Sequence, residues 1–341
     1  MHSESNPLGE FDLIQRFFKA GADAMHSNNG KGIALGIGDD CALLWPVAGE
    51  EIAITSDMLV EGRHFLPNAN PELLGRKALA VNLSDLAAMG ARPIGFTLAI
   101  ALPKIDTVWL DAFARGLFAV ANQYSCPLIG GDTTAGPLTI SITALGNIPS
   151  GKAIRRSGAQ VGDDIWVSGC VGDARLTLAA LRYEIKLPEE DFKQIESRMH
   201  TPTPRIELGI KLRGVANAAL DISDGLLGDL QHILKQSQVS AEVFLEQLPK
   251  SATLQKQSES IQNQFAATGG DDYEICFTAP LDKRSVIDQI SKELNLPLTR
   301  IGSTTEKVDE AKRLRLLNKN GDLLDNAKTV ELLKSFDHFA K

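Results

Sequence analysis

Aspartates set among glycine and hydroxyl residues recur in six segments of this 341-residue sequence. Carboxylate and hydroxyl oxygens are hard ligands that select Mg²⁺. This ion keeps several waters and usually takes only one or two carboxylates together with phosphate oxygens of a substrate. So many carboxylates predict several magnesium ions and a bound nucleotide. The aspartates are Asp39 and Asp40, Asp57, Asp85, Asp132, Asp221 with Asp224, and Asp271 with Asp272.

An aspartate beside a glycine also has a purely structural use, because its carboxylate caps helices and turns. We expect that structural role for Asp39, Asp229 and Asp272. A placement at strand ends or beside glycines that is repeated this often favours the metal role for the others. These are Asp57, Asp85, Asp132 and Asp221.

Composition and charge narrow the class of partner. A chain with 43% hydrophobic and 23% charged residues is typical of a soluble globular protein. The net charge of -8 argues against nucleic acid and anionic membranes, and no apolar run approaches the ~20 residues of a membrane helix. The four cysteines are widely separated, without a CxxC pair or a secretory signal. We therefore expect reduced thiols and a cytoplasmic protein.

The first half of the chain alternates strand and helix signals. Residues 33–37 and 52–55 are β-prone apolar runs that lead directly into acidic residues, which predicts carboxylates at strand ends. Apolar spacing between residues 73 and 89 predicts a helix that carries Asp85. A β-rich first domain with covering helices follows. Its further predicted elements are strands at 96–102 and 138–144 and a helix from about Thr107.

A turn-rich segment at residues 146–160 predicts a domain boundary, with domains at 1–150 and 151–341. Within it, Gly146–Lys152 matches the first seven positions of a Walker A loop. Ala153 stands where the magnesium-binding hydroxyl belongs, and no helix pattern follows. We interpret this segment as an interdomain turn. The second domain shows a strand at 165–169, a helix at about 174–182, a polar stretch near 185–205 and an amphipathic helix opened by DISDG.

Six motifs, in order along nearly the whole chain, resemble the thiamine-monophosphate kinase family of the aminoimidazole ribonucleotide synthetase-like ATP-binding superfamily. The histidine of EGRHF and the closing FDHF add to the match. The resemblance implies an N-terminal α/β domain with a dimerising sheet, a C-terminal α+β domain, ATP between them, and a homodimer. The motifs are GIGDDCALL (36–44), ITSDMLVEGRHF (54–65), KALAVNLSDLAAMGARP (77–93), LIGGDTT (128–134), DISDGLLGDL (221–230) and GGDDYEICF (269–277).

The resemblance also implies which residues bind the nucleotide and its metals. The N-terminal domain would bind ATP and magnesium, and Asp57 and Asp132 would be the most critical ligands. The planar fork of Arg156 suits a phosphate clamp; the alternative is a solvated linker arginine. ATP contacts are expected at Gly131, Asp132, Arg156, Ser223 and, as an adenine contact that packing against the sheet would equally explain, Tyr124. Metal ligands are expected at Asp40, Thr55, Ser56, Asp57, Asp85, Asp132, Asp221 and Asp224.

On the substrate side, the resemblance places His64, Asp271 and Phe336 against thiamine phosphate. Phe336 would stack on an aromatic ring of the substrate, and the acidic residue would face its cationic heterocycles. The family more often has glutamate in GGEDYE, whereas this sequence has Asp271, one methylene shorter. The residue that contacts the substrate is thus altered in length but not in charge.

The implied reaction transfers the γ-phosphoryl group of ATP to the phosphate of thiamine monophosphate. A phosphate monoester has a second pKa of ~6, so its oxygen is already anionic at neutral pH and needs little help from a base. The aspartates would therefore act as metal ligands, and no protein nucleophile is required.

Four alternatives remain open at this point. Selenophosphate synthetase and ribonucleotide cyclo-ligase belong to the same superfamily, but the first typically uses a cysteine near its N-terminus and residues 1–35 contain none. A two-metal phosphohydrolase commonly recruits histidine ligands, and only His64 lies within a motif. A non-catalytic nucleotide sensor would keep the ATP ligands without the substrate contacts.

Overall fold

The computed structural model describes residues 10–29, 32–38, 40–309, 313–325, 329 and 332. The chain divides into two compact units. Unit 1 consists of Met1–Leu86 and Arg92–Ser150, and unit 2 of Ala87–Ala91 and Gly151–Lys341. Among the described residues, none of the helices is long and apolar enough to cross a membrane.

Unit 1 is built on a four-stranded sheet with helices. The strand order is β3-β6-β4-β5, with β4 and β5 parallel and the other neighbours antiparallel. A separate antiparallel pair joins β1 and β2. The elements are α1 (Glu10–Leu13), a π-helix (Ile14–Lys19), α2 (Ala20–Asn29), β1 (Ile33–Leu35), β2 (Leu43–Leu44), β3 (Glu50–Val60), α3 (Pro71–Ala88), β4 (Arg92–Leu102), α4 (Thr107–Gln123), β5 (Leu128–Ala135) and β6 (Thr139–Pro149).

Alternating side chains give the four-stranded sheet one buried face and one open face. Ile140, Ile142 and the other even-numbered residues of β6 are buried, while its odd-numbered residues are half-buried. On the neighbouring β3, Ile52, Ile54 and Met58 are 49%, 66% and 55% exposed. The open face therefore carries a stripe of exposed apolar side chains along β3.

The helix predicted from about Thr107 is confirmed as α4. The Asp106 carboxylate accepts hydrogen bonds from the backbone N–H groups of Val108 and Trp109, which satisfies two of the donors that a helix start leaves unpaired. Leu110 and Phe113 are fully buried on the inner side of the helix. Asp85 lies in α3, as the sequence predicts.

The predicted end of one strand is wrong, whereas the rejection of a Walker A loop agrees with the structure. The strand predicted to end at residue 55 continues to Val60, since every residue from Glu50 to Val60 pairs with β6. Asp57 therefore lies inside a strand, and its prediction as a strand-end carboxylate is wrong. The rejection of a Walker A loop agrees with the structure, because Gly146 to Pro149 form the end of β6 and the next helix begins only at Asp173.

Unit 2 is a six-stranded sheet with helices. The strand order is β12-β9-β11-β7-β10-β8, antiparallel except for the parallel pair of β12 and β9. β7, β8 and β10 are buried along their whole length. The elements are β7 (Asp164–Ser168), α5 (Asp173–Leu181), α6 (Glu189–His200), α7 (Ile206–Leu212), β8 (Ala218–Asp221), α8 (Leu226–Ser237), β9 (Ser240–Phe244), α9 (Glu259–Thr268), β10 (Ile275–Ala279), α10 (Arg284–Leu294), β11 (Leu298–Thr305) and β12 (Leu314–Leu317).

A buried carboxylate, Glu274, joins several elements of unit 2. It is fully buried and accepts hydrogen bonds from Ser168 Oγ at the end of β7 and from Arg205 Nε at 2.7 Å. Arg198 of α6 pairs with the same carboxylate. The polar stretch near residues 185–205 thus folds as a helix whose basic residue neutralises a buried acid.

A second buried carboxylate, Asp164, lies at the opposite end of β7. Arg284 Nε and Arg300 Nη1 lie 2.5 and 3.2 Å from its two oxygens. Burial raises the pKa of Asp164, but the hydrogen bonds from the two arginines outweigh it, and the pKa is held below its usual value.

Candidate functional site

Two of the six motifs lie side by side in unit 2. The backbone N–H of Asp271 donates to the Ser223 carbonyl at 2.9 Å, and that of Tyr273 donates to the Ile222 carbonyl at 2.8 Å. In return, Ile222 N–H donates to the Glu274 carbonyl at 2.8 Å. These bonds extend the β8·β10 pairing beyond the strands, so the loop at 221–225 and the loop at 269–274 form one backbone-linked site.

The loop at 269–274 adopts an unusual backbone to achieve this pairing. Asp271 and Tyr273 have φ values of 67° and 49°, in the left-handed region that L-residues rarely enter. A Cβ on Gly270 would stand 2.6 Å from the Ser223 carbonyl oxygen, so only glycine fits that position. Tyr273 Oη donates to Asp271 Oδ1 at 3.2 Å. Such backbone strain persists where surrounding contacts hold it, commonly at functional sites, and here it orients the predicted substrate residue.

Two buried aspartates fix these loops by accepting hydrogen bonds from backbone N–H groups. Asp229 Oδ2 accepts the backbone N–H groups of both Ser223 and Asp224 at 3.0 Å. Burial raises the pKa of Asp229 to about 7, against the lowering effect of those hydrogen bonds. Asp272 Oδ2 accepts the Gly172 N–H at 2.7 Å, and burial likewise raises its pKa. Both contacts are of the structural kind expected for these residues.

The predicted phosphate clamp, Arg156, belongs to the same neighbourhood. Its side chain is exposed, and its carbonyl accepts a hydrogen bond from Ser237 Oγ at 2.8 Å. Burial lowers the pKa of His232, the charge of Arg156 lowers it further, and Asp224 opposes both. Arg156, Asp224 and His232 therefore interact electrostatically. His232 lies outside the six motifs, although its position three residues after Asp229 on α8 places it on the same side of that helix.

In unit 1, predicted metal ligands meet between β3 and α3. Thr55 Oγ1 donates to Asp85 Oδ2 at 2.5 Å. The backbone N–H of Asp57 donates to the side-chain oxygen of the buried Asn82 at 3.1 Å. Asp57 and Asp85 are therefore carried by adjoining elements, one on the edge strand and one on the helix beside it.

The remaining predicted ligands of unit 1 lie toward the open face of its sheet. Ser56 Oγ is 3.0 Å from Thr143 Oγ1 on β6. Asp40 and Asp132 line a cavity of about 1080 Å³ together with Lys19 and Gly131. Strand alternation thus divides Thr55 and Asp57 from their sequence neighbour Ser56. The structure separates what the sequence presents as one run of ligands.

The donor types of these sites fit magnesium. Within the described ranges, no three His, Cys, Asp or Glu side chains stand close enough to hold a metal ion on their own. The oxygen donors occur instead in small sets, such as Thr55 with Asp85. Mg²⁺ usually takes one or two carboxylates and completes its shell with water and phosphate oxygens, so small sets suit an ion that arrives with a nucleotide.

Three other residues predicted to contact a ligand are His64, Tyr124 and Phe336. His64 is half-buried, and its Nδ1 accepts the Val60 N–H at 3.0 Å, which closes the turn after β3. Tyr124 lies at the C-terminal end of α4, where its N–H donates to the Val120 carbonyl, and it is not among the residues that line the cavity. Phe336 and Asp39 lie outside the described residues.

Comparison with known proteins agrees with this arrangement of two units. Residues 38–148 match the family model of the AIR synthase related protein, N-terminal domain, and residues 160–314 match that of its C-terminal domain. The chain is 44% identical over 334 residues to the thiamine-monophosphate kinase of Salmonella typhimurium, covering 97% of this chain and 98% of that protein.

Solved structures of similar proteins also match nearly the whole chain. The crystal structure of thiamine-monophosphate kinase from Stenotrophomonas maltophilia K279a has a TM-score of 0.83 and 44% identity, covering 93% of this chain and 98% of that one. AaThiL complexed with AMPPCP and TMP has a TM-score of 0.74 and 29% identity, covering 99% of this chain and all of that one.

Proposed function

The chain belongs to the thiamine-monophosphate kinase family, and we propose that it transfers the γ-phosphoryl group of ATP to the phosphate of thiamine monophosphate, giving thiamine diphosphate and ADP. One observation of the structure carries the assignment of a site. Backbone hydrogen bonds link the loop at 221–225 to the loop at 269–274. They bring predicted metal and ATP ligands, Asp221, Ser223 and Asp224, beside the predicted substrate residue, Asp271.

The charges of the site support phosphate-to-phosphate transfer. Two polyanions repel each other, and magnesium held by the aspartates would supply the positive charge that offsets this repulsion. The oxygen donors of Asp57, Asp85, Asp132 and Asp221 would hold several such ions. The exposed guanidinium of Arg156 would clamp a phosphate of ATP by two parallel hydrogen bonds. None of these side chains needs to remove a proton.

We assign magnesium and ATP binding in part to residues 1–150. The cavity lined by Asp40, Gly131 and Asp132 has room for a nucleotide, since small-molecule sites span roughly 300–1,000 Å³.

The four cysteines are unpaired in the structure, which supports a cytoplasmic protein.

A homodimer is the second part of the proposal. The open face of the four-stranded sheet presents Ile52, Ile54 and Met58 to solvent, and contiguous exposed apolar residues commonly mark an interface. A second copy of the chain would cover this stripe and complete the dimerising sheet expected from the family. Sedimentation equilibrium of the wild type and of Ile54→Lys measures this, and a wild type that stays monomeric at micromolar concentration would exclude it.

The activity is tested with purified protein, ATP, Mg²⁺ and either thiamine monophosphate or thiamine, with products separated by anion-exchange chromatography. We expect ADP and thiamine diphosphate from thiamine monophosphate. Thiamine should give negligible product, because its hydroxyl has a far higher pKa and brings no charge for the ions to orient. Comparable turnover of thiamine would exclude direct attack by the phosphate and would make His64 the first candidate for a general base. Binding of ATP without any product would indicate a nucleotide sensor.

A further inference from the structure

Asp229 is a buried carboxylate that no predicted ligand or substrate role uses. It lies near the start of α8 and is only 6% exposed. A single oxygen, Oδ2, accepts the backbone N–H groups of Ser223 and Asp224, each at 3.0 Å. The backbone N–H groups of Ser223 and Asp224 therefore point toward Asp229.

The other side of the same loop is fixed by the loop at 269–274. The Ser223 carbonyl accepts the Asp271 N–H, and the Ile222 carbonyl accepts the Tyr273 N–H. Gly225 has a φ of 119°, and a Cβ there would stand 2.8 Å from the Thr268 backbone. Neither side of the loop has freedom to shift unless one of these sets of bonds breaks.

The direction of the two N–H groups decides how the loop meets a nucleotide. Glycine-rich loops commonly bind phosphate with backbone N–H groups, but here the N–H groups of Ser223 and Asp224 donate to Asp229. The main-chain carbonyl of Ser223 is likewise engaged by Asp271. This fixed main chain carries the side chains of Ser223 and Asp224, the predicted ATP and metal ligands.

We propose that Asp229 is a positioning residue, which fixes the loop so that the side chains of Ser223 and Asp224 are aimed at the magnesium-bound triphosphate. This deepens the proposed function and rests on it for the identity of the ligand. Asp229 itself touches neither the nucleotide nor the metal. Replacing Asp229 should leave the fold intact but should make the positions of the Ser223 and Asp224 side chains less well defined.

The test compares Asp229→Ala and Asp229→Asn with wild type and with a matched control, Asp164→Asn. Asp164 is also a buried carboxylate of unit 2, but it binds Arg284 and Arg300. Three quantities are measured. They are hydrogen exchange of the backbone of residues 222–225 without metal or nucleotide, the Kd of AMPPCP with Mg²⁺ by calorimetry, and the Mg²⁺ concentration for half-maximal turnover.

We expect a graded result. Asp229→Asn keeps a neutral acceptor and should weaken AMPPCP binding about threefold, whereas Asp229→Ala loses both bonds and should weaken it about tenfold or more. Exchange in residues 222–225 should accelerate in the same order, and the Mg²⁺ requirement should rise with it. Asp164→Asn should lower the thermal midpoint while leaving exchange in the loop and the Kd of AMPPCP unchanged.

The inference is overturned by wild-type exchange and wild-type AMPPCP affinity in the variants of Asp229, or by the same weakening in Asp164→Asn. Should Asp229→Ala not fold, Asp229→Asn decides alone, because unchanged exchange and affinity in that variant contradict the proposal. Exchange and AMPPCP binding do not depend on the phosphate acceptor. A protein that failed to phosphorylate thiamine monophosphate would therefore refute the proposed function without touching this result.

Discussion

Removing the charge of Glu274 while keeping its shape should strongly destabilise unit 2. The carboxylate is fully buried and accepts hydrogen bonds from Ser168, Arg198 and Arg205. The side chains of Arg198 and Arg205 are only 20% and 16% exposed. In Glu274→Gln, two largely buried guanidinium groups would share a neutral amide, and breaking a buried pair from one side costs about 3–5 kcal/mol.

The size of the effect follows from the size of the unit. For a unit of 150–250 residues, 1 kcal/mol moves the thermal midpoint by about 2–4 °C, so Glu274→Gln should lower it by roughly 6–20 °C. Differential scanning calorimetry measures the shift. The matched control is Glu189→Gln, because Glu189 also pairs with a basic residue, Lys193, but is 80% exposed. An exposed pair of this kind contributes about 0–1 kcal/mol.

The comparison of the two variants separates burial from pairing. If Glu274→Gln unfolded within about 2 °C of Glu189→Gln, the charge of Glu274 would not stabilise the unit, and the estimate from buried pairs would be wrong here. A double variant in which Arg198 is also neutralised should recover part of the loss, since one uncompensated charge is removed.

Three other experiments test separate features of the chain. Asp57→Asn should abolish turnover with little change in thermal midpoint, because it removes the charge of a metal ligand at constant size; near-normal activity would exclude Asp57. Arg156→Ala should weaken ATP binding far more than Lys152→Ala, measured by calorimetry, and the reverse order would make the Walker-like segment the phosphate site. Asp164→Asn should lose stability at neutral pH by about 1–3 kcal/mol. Because the folded pKa of Asp164 is depressed, its contribution is complete above the unfolded pKa of ~3.9 and disappears as the pH falls through the folded value. Urea titrations at several pH values measure this, and a pH-independent difference would contradict it.

The sequence predicted elements well where apolar periodicity was strong. The strand at 138–144 and the helix from about Thr107 appear in the structure as β6 and α4. At β3 the prediction is wrong, because the apolar pattern ends the strand at residue 55, within the polar run Thr55-Ser56-Asp57. That run continues the strand because its backbone pairs with β6, a partner more than 80 residues away in sequence. Pairing over such a distance is invisible to a local pattern.

For the polar stretch near 185–205 the sequence predicts no helix or strand, and the reason is related. Its helix, α6, is mostly polar and buries few apolar side chains, among them Ile195 and Met199. The segment is held in position by Arg198, which pairs with Glu274, 76 residues further along the chain. A sequence shows that both residues exist, but only the fold shows that they neutralise each other.

The glycines of the motifs also show that a sequence does not reveal which stretch of backbone a residue lies against. A glycine such as Gly131, next to Asp132, lets the backbone approach a phosphate closely. In the structure a Cβ on Gly131 would stand 1.8 Å from the Leu98 carbonyl oxygen, and one on Gly270 would stand 2.6 Å from that of Ser223. Both glycines thus permit one stretch of backbone to pass close to another. In these two motifs the glycine lets the chain beside its aspartate lie against a neighbouring strand or loop.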